Sequence, residues 1–115
     1  MGVMKLRIEY FDHNESFSAL LPREGCVVST PECADSKLVW HLLLLDEPLS
    51  YEGAEYSHFL VASRWQGQAI GGSAGTSVFI LLVPSNAVVA DGFSHKSFLH
   101  IAWGMAHMVA AQTDA

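Results

Sequence analysis

Apolar and polar residues alternate along much of this chain, and the alternation predicts strands. From Lys5 to Phe11 every second residue is apolar, which is the period of a half-buried strand. Glu55 to Trp65 alternates in the same way, and Thr76 to Val83 is a β-branched and aromatic run that ends at Pro84. These three segments predict an antiparallel meander.

The stretch between the first two of these strands is less regular. Ser16–Leu21 and Cys26–Ser29 have strand-like composition, and the proline and glycine of Pro22–Gly25 favour a turn between them, so we expect a hairpin. Thr30 and Pro31 are typical of a helix start, whereas residues 39–45 suit a helix or a strand. We expect a short helical turn near Pro31 and a strand over residues 37–45, with a helix over residues 31–45 as the alternative.

The pattern changes near the C-terminus. From Ser94 the apolar residues recur with a period of 3.6, which predicts an α-helix from Ser94 to about Gln112 with His100 and His107 on its solvent face. A chain of 115 residues has the size of one domain. The sequence therefore predicts a single α+β domain over residues 1–115. Its antiparallel sheet of about six strands, an open meander or a strongly curved and barrel-like one, is packed by one C-terminal α-helix.

Composition indicates that some apolar surface needs a partner. Half of the residues are hydrophobic, 16% are charged and the mean hydropathy is +0.26. The segment Thr76–Val83 is apolar on both of its faces, so both should be covered. The C-terminal helix can cover one side, and the other needs the N-terminal hairpin or a second subunit; we expect a homo-oligomer, in the simplest case a two-fold dimer.

Charge and hydropathy exclude several classes of partner. The net charge is −6 and the six basic residues are scattered, which argues against nucleic acid. The longest apolar run is far shorter than the roughly 20 residues of a membrane-spanning helix, and no apolar signal region stands at the N-terminus. We therefore expect no membrane partner and a cytoplasmic location. Cys26 and Cys33 fit no zinc-ligand spacing and are expected to be free thiols.

Two motifs suggest chemistry and are better explained without it. Gly71–Gly75 fits the G-x-S-x-G pattern of a nucleophile elbow, but the elbow needs a helix after it, and a strand pattern follows Gly75. Ser73 is thus expected on a flexible loop, with no catalytic role. His100 and His107 lie two helical turns apart, about 10 Å, which is too far to bind one ion. We expect no metal and no cofactor.

Strand pairing brings together one candidate binding surface. If residue 41 lies opposite residue 60, the core face receives Leu38, Trp40, Leu42, Leu44, Phe59, Val61 and Trp65. The other face receives Lys37, Val39, His41, Leu43, Leu45, Tyr56, His58, Leu60 and Arg64. This second face mixes apolar walls with a few polar groups, as ligand sites do, although a partly solvated sheet face has the same composition. The candidate ligand-binding residues are Trp40, His41, Tyr56, His58, Arg64 and Trp65.

Three functional hypotheses follow. The first is a non-catalytic domain that self-associates and binds a small ligand or a peptide between sheet and helix. The alternatives are a protein-interaction module, such as an inhibitor or antitoxin-like subunit, and a small enzyme with His41 or His58 as general base. A ligand binder should contain a pocket lined by one of the named tryptophans or histidines. An interaction module should have an exposed patch and no cavity, and an enzyme should have a histidine bonded to a carboxylate in a cleft.

Overall fold

A computed structural model describes residues 4–10, 20–64 and 75–109. In these residues six strands follow one another and each pairs antiparallel with its neighbour in sequence. The strands are β1 (Lys5–Tyr10), β2 (Arg23–Ser29), β3 (His41–Tyr51), β4 (Ala54–Ser63), β5 (Thr76–Pro84) and β6 (Leu99–Met108). The last strand pairs with the first, so the sheet closes into a barrel.

The barrel interior is the main hydrophobic core. Because successive side chains of a strand point to opposite faces, each strand sends every second residue inward. The alternation from Lys5 is thereby explained, since Leu6 and Ile8 are fully buried. The buried interior residues are Leu6, Ile8, Leu43, Leu45, Leu49, Tyr51, Tyr56, Phe59, Val61, Val78, Ile80, Leu82 and Ala106.

A second apolar cluster lies on the outer surface of β4 and β5. Its buried members are Trp40, Leu60, Ala62, Leu81 and Val83. Two segments of the same chain cover it, residues 30–40 between β2 and β3 and residues 85–98 between β5 and β6, and both are called the covering loops below. The outer face of β5 is therefore largely covered within one chain, with Phe79 half-buried, so the two apolar faces of β5 do not by themselves require a second subunit.

The predicted C-terminal helix is wrong, and with it the α+β class. The described part of the segment forms a 3₁₀ turn, His95–Ser97, and then β6. β6 pairs with β1 on one side and with β5 on the other, so its backbone bonds close the barrel. The small residues Gly104 and Ala106 are buried there, and small side chains fit the interior of a narrow barrel. In the described ranges, no helix is long and apolar enough to cross a membrane.

The predicted hairpin around Pro22–Gly25 is also wrong. Arg23 to Gly25 belong to β2, which pairs with β1 and β3, while residues 16–19 lie outside the described ranges. Gly25 is buried where β2 approaches β3 closely: a Cβ atom on it would lie 2.4 Å from the Leu44 carbonyl oxygen. The glycine thus permits a close strand contact instead of a turn.

The ambiguous region before Leu45 divides into a loop and a strand. No helical turn forms at Pro31, since residues 30–40 are loop with a single bridge at Cys33, and β3 begins at His41. β3 continues through Pro48, next to a bulge between Leu44 and Leu49. The β3–β4 turn is the pair Glu52-Gly53, whose φ angles of 52° and 84° suit a two-residue hairpin loop.

Other strand predictions are confirmed. β1, β4 and β5 lie where alternation placed them, although Phe11, Trp65 and Ser73, which was predicted to lie on a loop, fall outside the described ranges. The strand after Gly75 begins at Thr76, so the helix that a nucleophile elbow requires is replaced by β5.

Gly25→Ala should destabilise the barrel by about 1–3 kcal/mol, because the added methyl group overlaps the backbone of β3. Val28→Ala, at an exposed position of the same strand, should change the free energy of unfolding by about 0.5 kcal/mol or less. Urea denaturation of both variants measures the difference. Equal stability of the two variants would show that β2 and β3 do not approach as described.

Candidate functional site

A cavity lies between the outer wall of the barrel and the covering loops. It measures about 460 Å³, within the range of small-molecule sites, and its walls are mainly apolar. Its lining residues are Ser36, Leu38, Trp40, Phe79, Leu81, His95, Lys96 and Phe98. β5 supplies the floor and the two covering loops supply the sides, so the closed barrel carries one half of the site and the loops carry the other.

Backbone and side-chain hydrogen bonds hold the two covering loops together. The backbone N–H of Ala34 donates to the Phe93 carbonyl at 2.7 Å, and that of Gly92 donates to the Glu32 carbonyl at 2.8 Å. The Asp91 carboxylate accepts from the backbone N–H of Glu32 at 2.9 Å. These bonds flank a parallel bridge between Cys33 and Phe93, and they give irregular backbone the partners that a sheet would otherwise supply.

Trp40 is the most buried aromatic side chain of the cavity. It is 3% exposed, and its indole Nε1–H is buried without a hydrogen-bond partner among the described residues. Its ring is stacked on His95, with centroids 6.2 Å apart and planes inclined by 16°. An unpaired buried N–H costs about 1–3 kcal/mol, so an acceptor that reached this donor would stabilise the folded chain.

Asp35 and His95 form a short polar contact beside the cavity. The Ser94 hydroxyl and the His95 backbone N–H donate to Asp35, and these bonds hold the pKa of the carboxyl well below its ordinary value of 3.8. His95 Nδ1 lies 2.7 Å from Oδ1 of the same carboxylate. Because an ionised carboxylate has no proton, a neutral His95 donates from Nδ1 and keeps Nε2 as an acceptor.

Cys33 completes this group. Its thiol donates to Asp35 Oδ1 at 3.1 Å, and its sulfur lies 3.9 Å from His95 Nδ1. The thiol therefore faces the same imidazole nitrogen that bonds the carboxylate, whereas a cysteine–histidine–aspartate triad uses the two nitrogens for separate partners. The arrangement does not fit a catalytic triad. It does bring together a sulfur, an oxygen and a nitrogen that can all bind one ion.

Comparisons with protein-family models, curated proteins and solved structures find no match. The chemistry that the cavity supports follows from its own residues.

The six candidate residues from the sequence do not share one surface. Trp40 lines the cavity, whereas Tyr56 is buried in the barrel interior. His41 lies opposite Val61, an interior residue, and His58 lies opposite Leu44 on the outer surface. Arg64 follows β4, where its backbone N–H donates to the Ser77 carbonyl at 2.9 Å, and Trp65 lies outside the described ranges.

Their separation follows from strand register. The sequence placed residue 41 opposite residue 60, and the structure places His41 opposite Val61 and Leu42 opposite Leu60. When one strand shifts by one residue relative to its partner, each of its side chains is paired with residues on the opposite face of the sheet. A further irregularity on β4, between Tyr56 and His58, changes the face of the residues before it, which brings Tyr56 inside.

Sequence reasoning missed the Cys33–Asp35–His95 group. Residues 33 and 95 are 62 positions apart and belong to different loops, so no spacing rule connects them. A weak signal was present, since Ser94-His95 follows the turn residues Asp91-Gly92 and the chain at Asp35-Ser36 interrupts a helix-like pattern. The enzyme hypothesis required a histidine bonded to a carboxylate in a cleft, and the contact of His95 with Asp35 has that geometry. The hypothesis named His41 and His58 and did not name His95.

His41 and His58 predict a loss of stability in acid. Burial lowers the pKa of each below the ordinary 6.5, so the unfolded chain binds protons at a higher pH than the folded chain does. Their contribution is complete above pH 6.5 and is lost as the pH falls through their folded pKa values. Between about pH 7.5 and about pH 5, the double variant His41→Gln/His58→Gln should lose less unfolding free energy than the parent protein. Parallel losses in urea titrations of the two proteins would contradict this assignment.

Proposed function

We propose that this protein binds a small molecule with a flat apolar body and an acceptor-bearing, anionic end in the cavity lined by Trp40. The observation that carries the proposal is the buried indole N–H of Trp40, which has no partner among the described residues and belongs to a side chain of the cavity wall. A ligand oxygen at Nε1 would remove the cost of that unpaired donor.

The apolar walls define the body of the ligand. Leu38, Leu81, Phe79 and Phe98 line the cavity together with the Trp40 ring. Aromatic walls favour a flat ring system, because stacked and edge-to-face contacts add to the energy of burial. A volume of about 460 Å³ accommodates a molecule of one or two fused rings.

The polar lining residues define the other end. Ser36, Lys96 and Trp40 each offer a hydrogen-bond donor, and Lys96 adds a positive charge at the exposed edge. Asp35 is the nearest described carboxylate to His95, and its oxygens are already occupied by donors from the covering loops. The cavity is thus rich in donors, which favours a carboxylate over an amine.

The cavity supports the ligand-binding hypothesis over the interaction module. A pocket lined by Trp40 is what the ligand-binding hypothesis required, and an interaction module was expected to have none. The ligand site lies between sheet and loops, because the helix of the original hypothesis is absent from the described residues.

Titration with 1-naphthoate should shift the indole N–H resonance of Trp40 in ¹H–¹⁵N spectra. Trp40→Phe keeps the aromatic wall and removes the donor, so affinity should fall about 10-fold, the worth of a hydrogen bond to a charged acceptor. Lys96→Met should reduce the preference for 1-naphthoate over neutral 1-naphthalenemethanol. Lys37→Met serves as the control, because Lys37 is exposed and does not line the cavity.

Two results would contradict the proposal. One is the absence of naphthoate binding to the parent protein up to millimolar concentration. The other is an affinity for naphthoate that is the same in Trp40→Phe, Lys96→Met and the control Lys37→Met. That result would place the naphthoate site elsewhere.

Self-association remains a prediction. The covering loops bury the outer face of β5, but Val28, Val39 and Leu44 stay exposed on or beside β2 and β3. Burying these exposed apolar side chains against a second copy would be favourable. Sedimentation at micromolar concentration should report about twice the chain mass of 12.5 kDa. A species with the mass of one chain would contradict the dimer, and the ligand would then be bound by a monomer.

A further inference from the structure

We propose that Cys33, Asp35 and His95 bind a divalent transition-metal ion of the zinc type. The proposal goes beyond ligand binding, which depends on Trp40 and Lys96. Three donor atoms of different chemistry, one sulfur, one oxygen and one nitrogen, lie within 4.8 Å of one another. They come from the two covering loops, which the barrel and the Cys33–Phe93 bridge bring together.

The separations of the three atoms suit a tetrahedral ion. Sγ lies 3.1 Å from Oδ1, Oδ1 lies 2.7 Å from Nδ1, and Sγ lies 3.9 Å from Nδ1. Zinc bonds of about 2.3 Å to sulfur and about 2.0 Å to nitrogen or oxygen place tetrahedral ligand atoms about 3.3–3.5 Å apart. The adjustment of each separation is therefore about 0.6 Å or less, which side-chain rotations of partly exposed residues can supply.

The donor set selects the class of metal. Magnesium and calcium prefer six or more oxygen ligands, whereas this group offers one carboxylate beside a thiol and an imidazole. Sulfur and nitrogen donors favour zinc, cobalt and related ions. Three protein ligands leave a fourth tetrahedral position for water or another small ligand.

Surrounding contacts hold the ligands in place. Asp35 Oδ2 accepts from the Ser94 hydroxyl, and the His95 ring is stacked on Trp40. The bonds of Ala34 to Phe93 and of Gly92 to Glu32 hold the two loops at a constant separation. Such outer contacts orient metal ligands and reduce the ordering that binding has to supply.

Binding has a defined proton balance. The metal bonds to the Cys33 thiolate, so the S–H bond breaks and its proton goes to solvent. His95 binds through Nδ1, and the proton of Nδ1 moves to Nε2, which leaves the imidazole neutral. About one proton is therefore released for each ion bound, and no oxidant or reductant is needed.

Cobalt(II) titration of the reduced, untagged full chain tests the site. A near-ultraviolet thiolate-to-cobalt charge-transfer band should grow to one equivalent, together with the visible bands of a tetrahedral ion, and zinc should displace the cobalt. Calorimetry of zinc binding in buffers of different ionisation enthalpy should give about one released proton per ion.

Variants locate the ion. Cys33→Ser should abolish the charge-transfer band, and His95→Gln and Asp35→Asn should each weaken zinc binding by about 10-fold or more. Cys26→Ser is the matched control, because Cys26 is the other free cysteine and lies on β2, away from the group. Circular dichroism checks that the barrel persists in each variant.

The decisive comparison is between the two cysteines. A charge-transfer band that is lost in Cys33→Ser and retained in Cys26→Ser supports the site. No such band in the parent protein, a band that persists in Cys33→Ser, or one that is lost only in Cys26→Ser overturns it.

Discussion

The pairing of the first and last strands is the constraint on which this structure depends. Leu6 lies opposite Met108 and Tyr10 opposite Gly104, and this ladder converts a six-stranded meander into a closed barrel. Without it, the outer edges of β1 and β6 would carry unpaired backbone groups. Closure also explains why the inward-facing residues of β6 are small. Gly104 and Ala106 fit a crowded interior that also holds larger residues such as Phe59.

Closure decides what covers the outside of the barrel. Once the C-terminal segment is used as a strand, it is not available as a helix to pack on β4 and β5, whose outer residues Leu60 and Leu81 are apolar. The covering loops bury those residues instead. Irregular backbone over an apolar surface needs polar partners of its own, and Asp35, Asp91 and Ser94 supply them. The polar group beside the cavity is thus a consequence of covering a barrel with loops.

Local pattern predicted the strands and failed where distant segments decide the outcome. β1, β4 and β5 follow from alternation, because their side chains divide cleanly between a buried interior and another face. For β6 the apolar spacing fits periods of 3.6 and 2, and pairing with β1, about 100 residues earlier in the chain, favours the strand. Of the candidate site, Trp40 was identified by its residue type. The remaining neighbours of the cavity depend on register, on the bulge after Leu44 and on contacts between loops.

The side chains that hold the two covering loops together also form the candidate metal group. The order of these loops is therefore coupled to metal binding at the group. Asp35 accepts bonds from Ser94 and His95 and so joins loop residues that are 60 positions apart. Anything that binds the folded arrangement of Cys33, Asp35 and His95 stabilises the loop contact by mass action. The stabilisation acts first on the loops, because the interior core of the barrel is formed by strand residues that do not touch the group. Since His95 and Trp40 are stacked and both line the cavity, ordering the loops also completes the wall that a small molecule would contact. With an ion or ligand bound, the barrel would be the rigid support, and the two covering loops would be the part of the molecule that the bound species stabilises.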